Sequence, residues 1–309
     1  MAVDLSNILV IGVSTRSLFN LENENEIFEK DGVDAFREFQ LAHENEPLEP
    51  GTAFHLVKNL LDLNKFSEKR LVEVVIMSRN SPETGVRVLN SLQYYELDIT
   101  RLAFSGGQPL APYIGAYSID LFLSKDSLDV QKIIDSGSCA AALIFEPPTK
   151  NIIDDLTVKI AFDADAVLFS DESEQRYKRE GLEAFQKFEK ENENIPLSAG
   201  PFANLLKKLS KLQDQLPHGI ESSPLRLAIV TARSAPAHLR VIKTLRDWGV
   251  YVNETYFLGG LSKNKVLEAF GSHIFFDDQD YHLDSASKLV PSGKVPYTSD
   301  SPLNIKKSN

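Results

Sequence analysis

Short apolar runs separated by amphipathic stretches set the rhythm of this chain. Ile8 to Val13 and Val158 to Phe162 have strand length and many β-branched residues. Helical spacing follows each. Tyr177, Leu182, Phe185 and Phe188 are expected on roughly one helical face, and further helices are predicted around Phe54 to Leu63 and Phe202 to Leu212. Strands come next at Val72 to Met77 and Leu225 to Val230, then helices at Gly85 to Tyr95 and Ala237 to Trp248. Another strand ends at each Gly-Gly pair, and a helix and a last apolar strand, His273 to Phe276 in the second half, complete the unit. Strands alternating with helices predict an α/β fold with a mainly parallel sheet. Strands without clean polar alternation suit a sheet covered on both faces.

The pattern occurs twice. Leu18-Phe19 recurs as Leu168-Phe169, and Glu44-Asn45, Pro47-Leu48 and Gly51 recur as Glu193-Asn194, Pro196-Leu197 and Gly200. Arg87-Val88, Gly106-Gly107 and Phe122 recur at a constant offset of 153 as Arg240-Val241, Gly259-Gly260 and Phe275. A period near 150 is too long for a solenoid and reads as two related units. The expected boundary is the stretch from Glu146 to Asp155, broken by Pro147-Pro148. This divides the chain into residues 1–150, residues 151–290 with a small helical cap over about 171–224, and a C-terminal tail over 291–309. The Ser-, Pro- and Lys-rich composition after about Leu283 predicts that the tail is partly extended or disordered.

Composition narrows the function classes. A net charge of -11 over 309 residues argues against nucleic-acid binding and against a polybasic membrane anchor. The N-terminus carries no signal-peptide pattern, and no apolar run approaches a membrane span. The single cysteine, Cys139, beside three alanines, reads as a small buried residue of a cytoplasmic protein. A homo-oligomer is an open alternative that the sequence does not decide.

Candidate chemistry lies at four strand ends of the second half: Asp163 and Asp165 in Phe162-Asp163-Ala164-Asp165, Thr231 after Ala228-Ile229-Val230, Lys263 after the Gly-Gly pair, and Asp277-Asp278 after Ile274-Phe275-Phe276. Each alone is common in solvated loops, caps and turns. Together they are placed to meet in the crevice outside the carboxyl ends of a parallel sheet. Offsets from the repeat set Asp163 opposite Val13, Asp165 opposite Thr15, Thr231 opposite Ser78, Lys263 opposite Leu110, and Asp277-Asp278 opposite Ser124-Lys125. The apolar frame persists in both halves, whereas the carboxylates and the lysine occur in one. Several carboxylates make a hard oxygen site suited to Mg²⁺, and a lysine and a hydroxyl beside it suit a phosphoryl group. One carboxylate can attack phosphorus while a second protonates the leaving oxygen.

The order Asp-x-Asp, Thr, Lys, Asp-Asp resembles the haloacid dehalogenase-like phosphohydrolases. The motifs Ala161-Phe162-Asp163-Ala164-Asp165-Ala166-Val167-Leu168-Phe169-Ser170-Asp171-Glu172-Ser173-Glu174, Val230-Thr231-Ala232-Arg233-Ser234 and His273-Ile274-Phe275-Phe276-Asp277-Asp278-Gln279 more narrowly resemble the cytosolic 5′-nucleotidase I family. The resemblance implies two Rossmann-like units and hydrolysis of nucleoside 5′-monophosphates. It implies Asp163 as nucleophile and metal ligand, and Asp165 as general acid/base with its backbone carbonyl on the metal. Thr231 and Lys263 would hold the phosphoryl group, with Arg233 and Ser234 beside them in the same motif, and one or both of Asp277 and Asp278 would complete the Mg²⁺ shell. Phe185 and Phe188 of the cap are candidates for base contact, against the plainer expectation that they form the cap's own core. A phosphatase of another small ester, or a nucleotide-binding regulator without turnover, are the alternatives. For the latter, Arg16, Ser78, Arg79 and Asn80 are candidates for a second anion site.

Overall fold

A computed structural model describes residues 4–148, 157–217, 219 and 222–304. Most of the expected boundary stretch (149–155) and the last five residues lie outside these. The first half contributes strands β1 (Leu9–Val13), β2 (Val72–Ser78), β3 (Arg101–Phe104), β4 (Leu121–Ser124) and β5 (Ala140–Ile144). The second contributes β6 (Val158–Phe162), β7 (Leu225–Thr231), β8 (Glu254–Phe257), β9 (Ile274–Asp277) and β10 (Ser292–Lys294). They form one ten-stranded sheet in the order β8-β7-β6-β9-β10-β5-β4-β1-β2-β3. Read outward from its middle, the sheet has the same strand order on both sides. Pairing is parallel except at the middle, where β10 and β5 run antiparallel with Gly293 opposite Ile144.

The inner strands are buried along nearly their whole length, as unbroken apolar runs require when helices cover both faces. The helices are α1 (Glu22–Ala42), α2 (Phe54–Asp62), α3 (Val86–Tyr94), α4 (Ser127–Ser136), α5 (Glu172–Glu191), α6 (Ala203–Gln213), α7 (His238–Asp247), α8 (Asn264–Phe270) and α9 (Asp280–Ala286). Two of them cross the midline. α2 of the first half reaches β6, and α6 of the second reaches β1. The Asn59 amide lies 3.0 Å from His273 Nε2 across this seam, and Lys208 pairs with Asp120 at 2.6 Å. The larger apolar cluster therefore runs through both halves, and a smaller one around Val230, Leu267 and Phe275 lies in the second.

Four sequence expectations change. First, α6 is not cap: Leu205, Leu206, Leu209 and Leu212 are buried against the sheet core. What stands off the sheet is α5 and the loop after it. Second, α5 is no single amphipathic face. Gly181 breaks it at φ 81°, leaving Tyr177 and Leu182 half exposed while Phe185 is buried. Gly32 breaks α1 in the same way at φ 85°. Third, residues 291–304 are built into the fold: β10 is a central strand, and Tyr297 reaches the second-half acids.

Fourth, strand register revises the pairing of the halves. Val13 stands opposite Ile76 in β2, and Phe162 opposite Ile229 in β7. The next residues, Ser14 and Asp163, donate their N–H groups to the equivalent carbonyls of Leu123 and Phe276. The counterpart of Asp163 is therefore Ser14, not Val13, and Asp165 falls at Arg16 rather than Thr15. Leu18-Phe19 still matches Leu168-Phe169, so the second half carries one extra residue between strand and Leu-Phe pair. It is absorbed in a widened turn, Ala164–Leu168, where Ala166 takes a left-handed φ of 58°. The first half has an ordinary helical turn there, Thr15–Leu18.

Candidate active site

The widened turn presents two carboxylates at the end of β6. A left-handed alanine is uncommon and costs backbone strain, which fits a loop shaped for its side chains. Asp163 is 5% exposed, and its Oδ1 accepts the Ala164 N–H at 2.7 Å. Lys263, just before α8, is buried between two acids: its Nζ is 2.9 Å from Asp163 Oδ1 and 2.7 Å from Asp277 Oδ2. Asp163, Asp277 and Asp278 each bring one carboxylate oxygen within 4.8 Å of the others.

Three buried carboxylates with one ammonium leave an excess of negative charge, and the proton affinities reflect it. Burial pushes Asp163 up to about 7; Lys263 opposes this, while Asp277 and Asp165 add to it. Burial also raises Asp277 against the pull of Lys263. Asp278 lies well above the carboxylate range through burial and then repulsion from Asp277, Asp163 and Glu174. Burial works against the Lys263 charge, but Asp163 and Asp277 outweigh it and hold the ammonium above its ordinary value. Asp278 Oδ1 is buried with no hydrogen-bond partner. An orphaned carboxylate oxygen beside two further acids is the donor set a hard divalent cation needs.

The remaining sequence candidates divide. Thr231 ends β7, is buried, and accepts the Arg233 N–H on Oγ1 at 3.2 Å. Ser234 is partly exposed beside Gly259. Asp165 has its carboxylate outside the three-acid group. Both of its oxygens are taken by Arg233, through Nε at 2.8 Å and an NH2 nitrogen at 2.6 Å. Arg233 also donates to Glu189 at 2.7 Å, to Ser173 at 2.7 Å and to the Ala237 carbonyl at 3.4 Å, which uses all five of its N–H groups. It has no donor left for a substrate, so its place is behind Asp165. Phe185 packs under the Arg233 guanidinium at 5.5 Å, and Phe188 lies between Arg176 at 3.9 Å and Arg240 at 5.5 Å. Their ring faces are occupied by cations, as a cap core would be.

Two residues at the site are given no role by the sequence motifs. Glu174 accepts from Gln279 at 3.1 Å, and the Tyr297 hydroxyl, 3.0 Å from Glu174, lies within hydrogen-bond reach of both Glu174 and Asp278 and donates its one proton to either. Only a contact map, not spacing, brings positions so far apart in sequence to the same acid.

The 5′-nucleotidase family model matches residues 1–302. The chain belongs to the 5′-nucleotidase family. It is 38% identical over 292 residues to human cytosolic 5′-nucleotidase 1B, which covers 92% of this chain and 48% of that protein. It therefore spans about half the length of the curated relative it matches. No solved structure shows significant similarity to it. In this 5′-nucleotidase family member the acids, Thr231 and Lys263 sit at carboxyl ends of adjacent parallel strands or in the loops after them, the usual place for a ligand in such a sheet. Among the described residues, no helix is long and apolar enough to cross a membrane.

Proposed function

We propose that this chain hydrolyses nucleoside 5′-monophosphates to nucleoside and phosphate in the cytoplasm, with Mg²⁺ as cofactor. The observation that carries this reading is the buried set of Asp163, Asp277 and Asp278 around Lys263, in a chain of this family. Asp163, Asp277 and Asp278 would hold the cation, joined by the Asp165 backbone carbonyl. When bound, the cation supplies positive charge for the phosphoryl oxygens.

Asp163 attacks phosphorus, and the P–O bond to the nucleoside 5′ oxygen breaks as the aspartyl phosphate forms. Asp165, once released from Arg233 and protonated from solvent, would give that proton to the departing oxygen. It then takes a proton from the water that opens the aspartyl phosphate. Arg233 holds the Asp165 carboxylate in a two-pronged ion pair, from which Asp165 would turn toward the substrate. Thr231 and Lys263 hold the phosphoryl oxygens. We further read the two halves as copies of one unit, of which the second, expected over 151–290 and extended by β10, carries the chemistry. Phosphate release from a panel of nucleoside monophosphates, with Mg²⁺ and with chelator, tests the proposal. Release restricted to Mg²⁺ and to nucleotides is expected. Release from sugar phosphates at equal rates would overturn the substrate class.

A further inference from the structure

A cavity of about 890 Å³ lies in the first half, at the carboxyl ends of β1, β2 and β4. It occupies the place in that half that the acid site occupies in the other, and its size suits a nucleotide-sized ligand.

A change of side chains explains the space. Arg233, whose guanidinium spans from Asp165 to Glu189, has Asn80 as its counterpart at the constant offset of 153. Asn80 is too short to fill the same volume, and its Nδ2 is buried with no partner. Lys263 is matched by Leu110, which also lines the cavity.

At the matched positions the same changes invert the charge, within a lining that also carries Glu24, Glu29, Asp34, Glu83, Asp126 and Asp129. Register and offset set Ser14 for Asp163, Arg16 for Asp165, Ser124 for Asp277 and Lys125 for Asp278. Two carboxylates become hydroxyls and two become cations. In the second half four carboxylates face Lys263 and Arg233, a balance of two negative charges. At the same seven strand-end positions of the first half only Arg16 and Lys125 are charged, a balance of two positive charges. The cation that the second half would recruit is thus supplied by side chains. Arg16 Nε is buried without a partner. Glu22, more than a third exposed, sits between the two cations, 3.2 Å from Arg16 and 2.8 Å from Lys125. Glu146, more exposed still, also touches Lys125 at 2.6 Å. Glu22 bridges two cations that line the cavity, so this pair can share one oxyanion, and both acids are exposed enough to swing out. Phe28 and Phe36, packed edge to face with ring centres 5.9 Å apart, also line the cavity. Aromatic surface in the same cavity as two cations suits a planar base.

We propose that the first-half cleft is a second ligand site that binds a nucleoside phosphate without metal and without hydrolysing it. Arg16 and Lys125 take the phosphate in place of Glu22, Asn80 Nδ2 and the hydroxyls of Ser14 and Ser78 complete its shell, and Phe28 and Phe36 face the base. With Ser14 at the nucleophile position and no carboxylate at Arg16, the site has neither the nucleophile nor the proton donor proposed for the second half.

The inference does not depend on the hydrolytic reading, because its test is binding under chelator. Adenosine 5′-monophosphate, guanosine 5′-monophosphate and inorganic phosphate are titrated calorimetrically into the full chain with EDTA. The expected result is saturable binding of at least one nucleotide, tighter than inorganic phosphate. The Arg16→Ala/Lys125→Ala double variant should weaken it at least tenfold, and Asn80→Arg should abolish it by refilling the space. Both variants should keep the Mg²⁺-dependent phosphate release of the parent chain at saturating substrate. Absence of nucleotide binding under EDTA, affinity unchanged in both variants, or nucleotide binding no tighter than phosphate would each overturn the proposal. Asn80→Arg needs no lost packing to act, so it keeps the test valid if the double variant fails to fold.

Discussion

Arg233 grips Asp165 through two parallel hydrogen bonds, Nε at 2.8 Å and an NH2 nitrogen at 2.6 Å. The planar fork matches the carboxylate and leaves it little rotational freedom. Glu189, fully buried, takes a further guanidinium nitrogen at 2.7 Å. The pair therefore sets the resting position of the proton-transfer group proposed above. Arg233→Lys keeps the charge and loses the fork. We expect kcat to fall by about 10²-fold with KM little changed, since misplacement of a reacting group acts on the chemical step. Steady-state kinetics decide it: a rise in KM at constant kcat would mean that Arg233 binds substrate directly. Arg233→Ala is a poorer test, because it strips Asp165 of its partner and leaves the buried Glu189 with Arg240 alone as a cation partner, and breaking a buried pair costs about 3–5 kcal/mol.

Asp163→Asn is isosteric and keeps the Ala164 cap, because the amide oxygen can still accept that N–H. It should lower turnover by at least about 10³-fold, as loss of a nucleophile does. Circular dichroism and the urea midpoint should stay near those of the parent chain. Turnover within tenfold of the parent would remove Asp163 from the nucleophile's place.

The three acids set a pH dependence of stability in the metal-free protein. Asp163, Asp277 and Asp278 all have folded affinities raised above the ordinary aspartate value, Asp163 to about 7. Between that ordinary value and the raised ones, the folded chain holds protons that the unfolded chain has released. Stability therefore falls as pH rises through this window. The melting temperature in EDTA should drop between about pH 5 and pH 8, and Mg²⁺ should flatten the slope by pairing with the ionised form. Asp278→Asn should raise the EDTA melting temperature near neutrality and reduce the slope, while losing Mg²⁺-dependent turnover. A metal-free melting temperature that rises over this range would contradict the assignment.

Cys139 offers a separate pH test. Burial, and then Asp120, push its thiol up to about 12. The thiolate is the reactive form, so at about pH 8 only on the order of one molecule in 10⁴ is poised to react. Iodoacetamide should label the native chain far more slowly than the chain in denaturant. Equal rates would mean that the thiol is open to solvent.

Much of the fold follows from apolar runs because a strand buried on both faces must be apolar along its length. That is why Leu9–Val13, Val158–Phe162 and Leu225–Thr231 can be bounded to within a residue or so. The same physics hides β10. Ser292-Gly293-Lys294 lacks apolar bulk because a Cβ on Gly293 would come within 3.1 Å of Ala142 and of Ile144. A central strand there reads as a polar tail. The repeat locates the acids, but an alignment anchored on Leu18-Phe19 and Leu168-Phe169 cannot tell on which side of the turn an extra residue lies. Hydrogen-bond register supplies that, and it replaces Val13 by Ser14. Asp165 and Arg233 stand 68 positions apart. Their pairing, like that of Tyr297 with Asp278, comes from side-chain reach across strand ends, on which periodicity is silent.

Gly51 and Gly200 recur in the two halves because of one close approach rather than a turn. A Cβ on Gly200 would lie 2.3 Å from the Phe169 carbonyl oxygen, and one on Gly51 would lie 2.7 Å from the Phe19 carbonyl carbon. Both obstacles are backbone, which cannot rotate away. Each glycine also donates its N–H to the Leu of the preceding Leu-Phe pair, Gly51 to Leu18 and Gly200 to Leu168. Gly200→Ala must therefore push the loop off the end of the widened turn that carries Asp163 and Asp165. We expect a loss of about 1–3 kcal/mol, the range for forced overpacking, together with lower turnover. Gly51→Ala should cost similar stability but leave turnover nearly intact, because the turn it supports carries Ser14 and Arg16. Gly115→Ala, with nothing within 4 Å of the added carbon, is the neutral control. Urea midpoints and initial rates on the three variants separate these outcomes. Equal losses of turnover at Gly51 and Gly200 would show that the two loops do not act independently on the acid site.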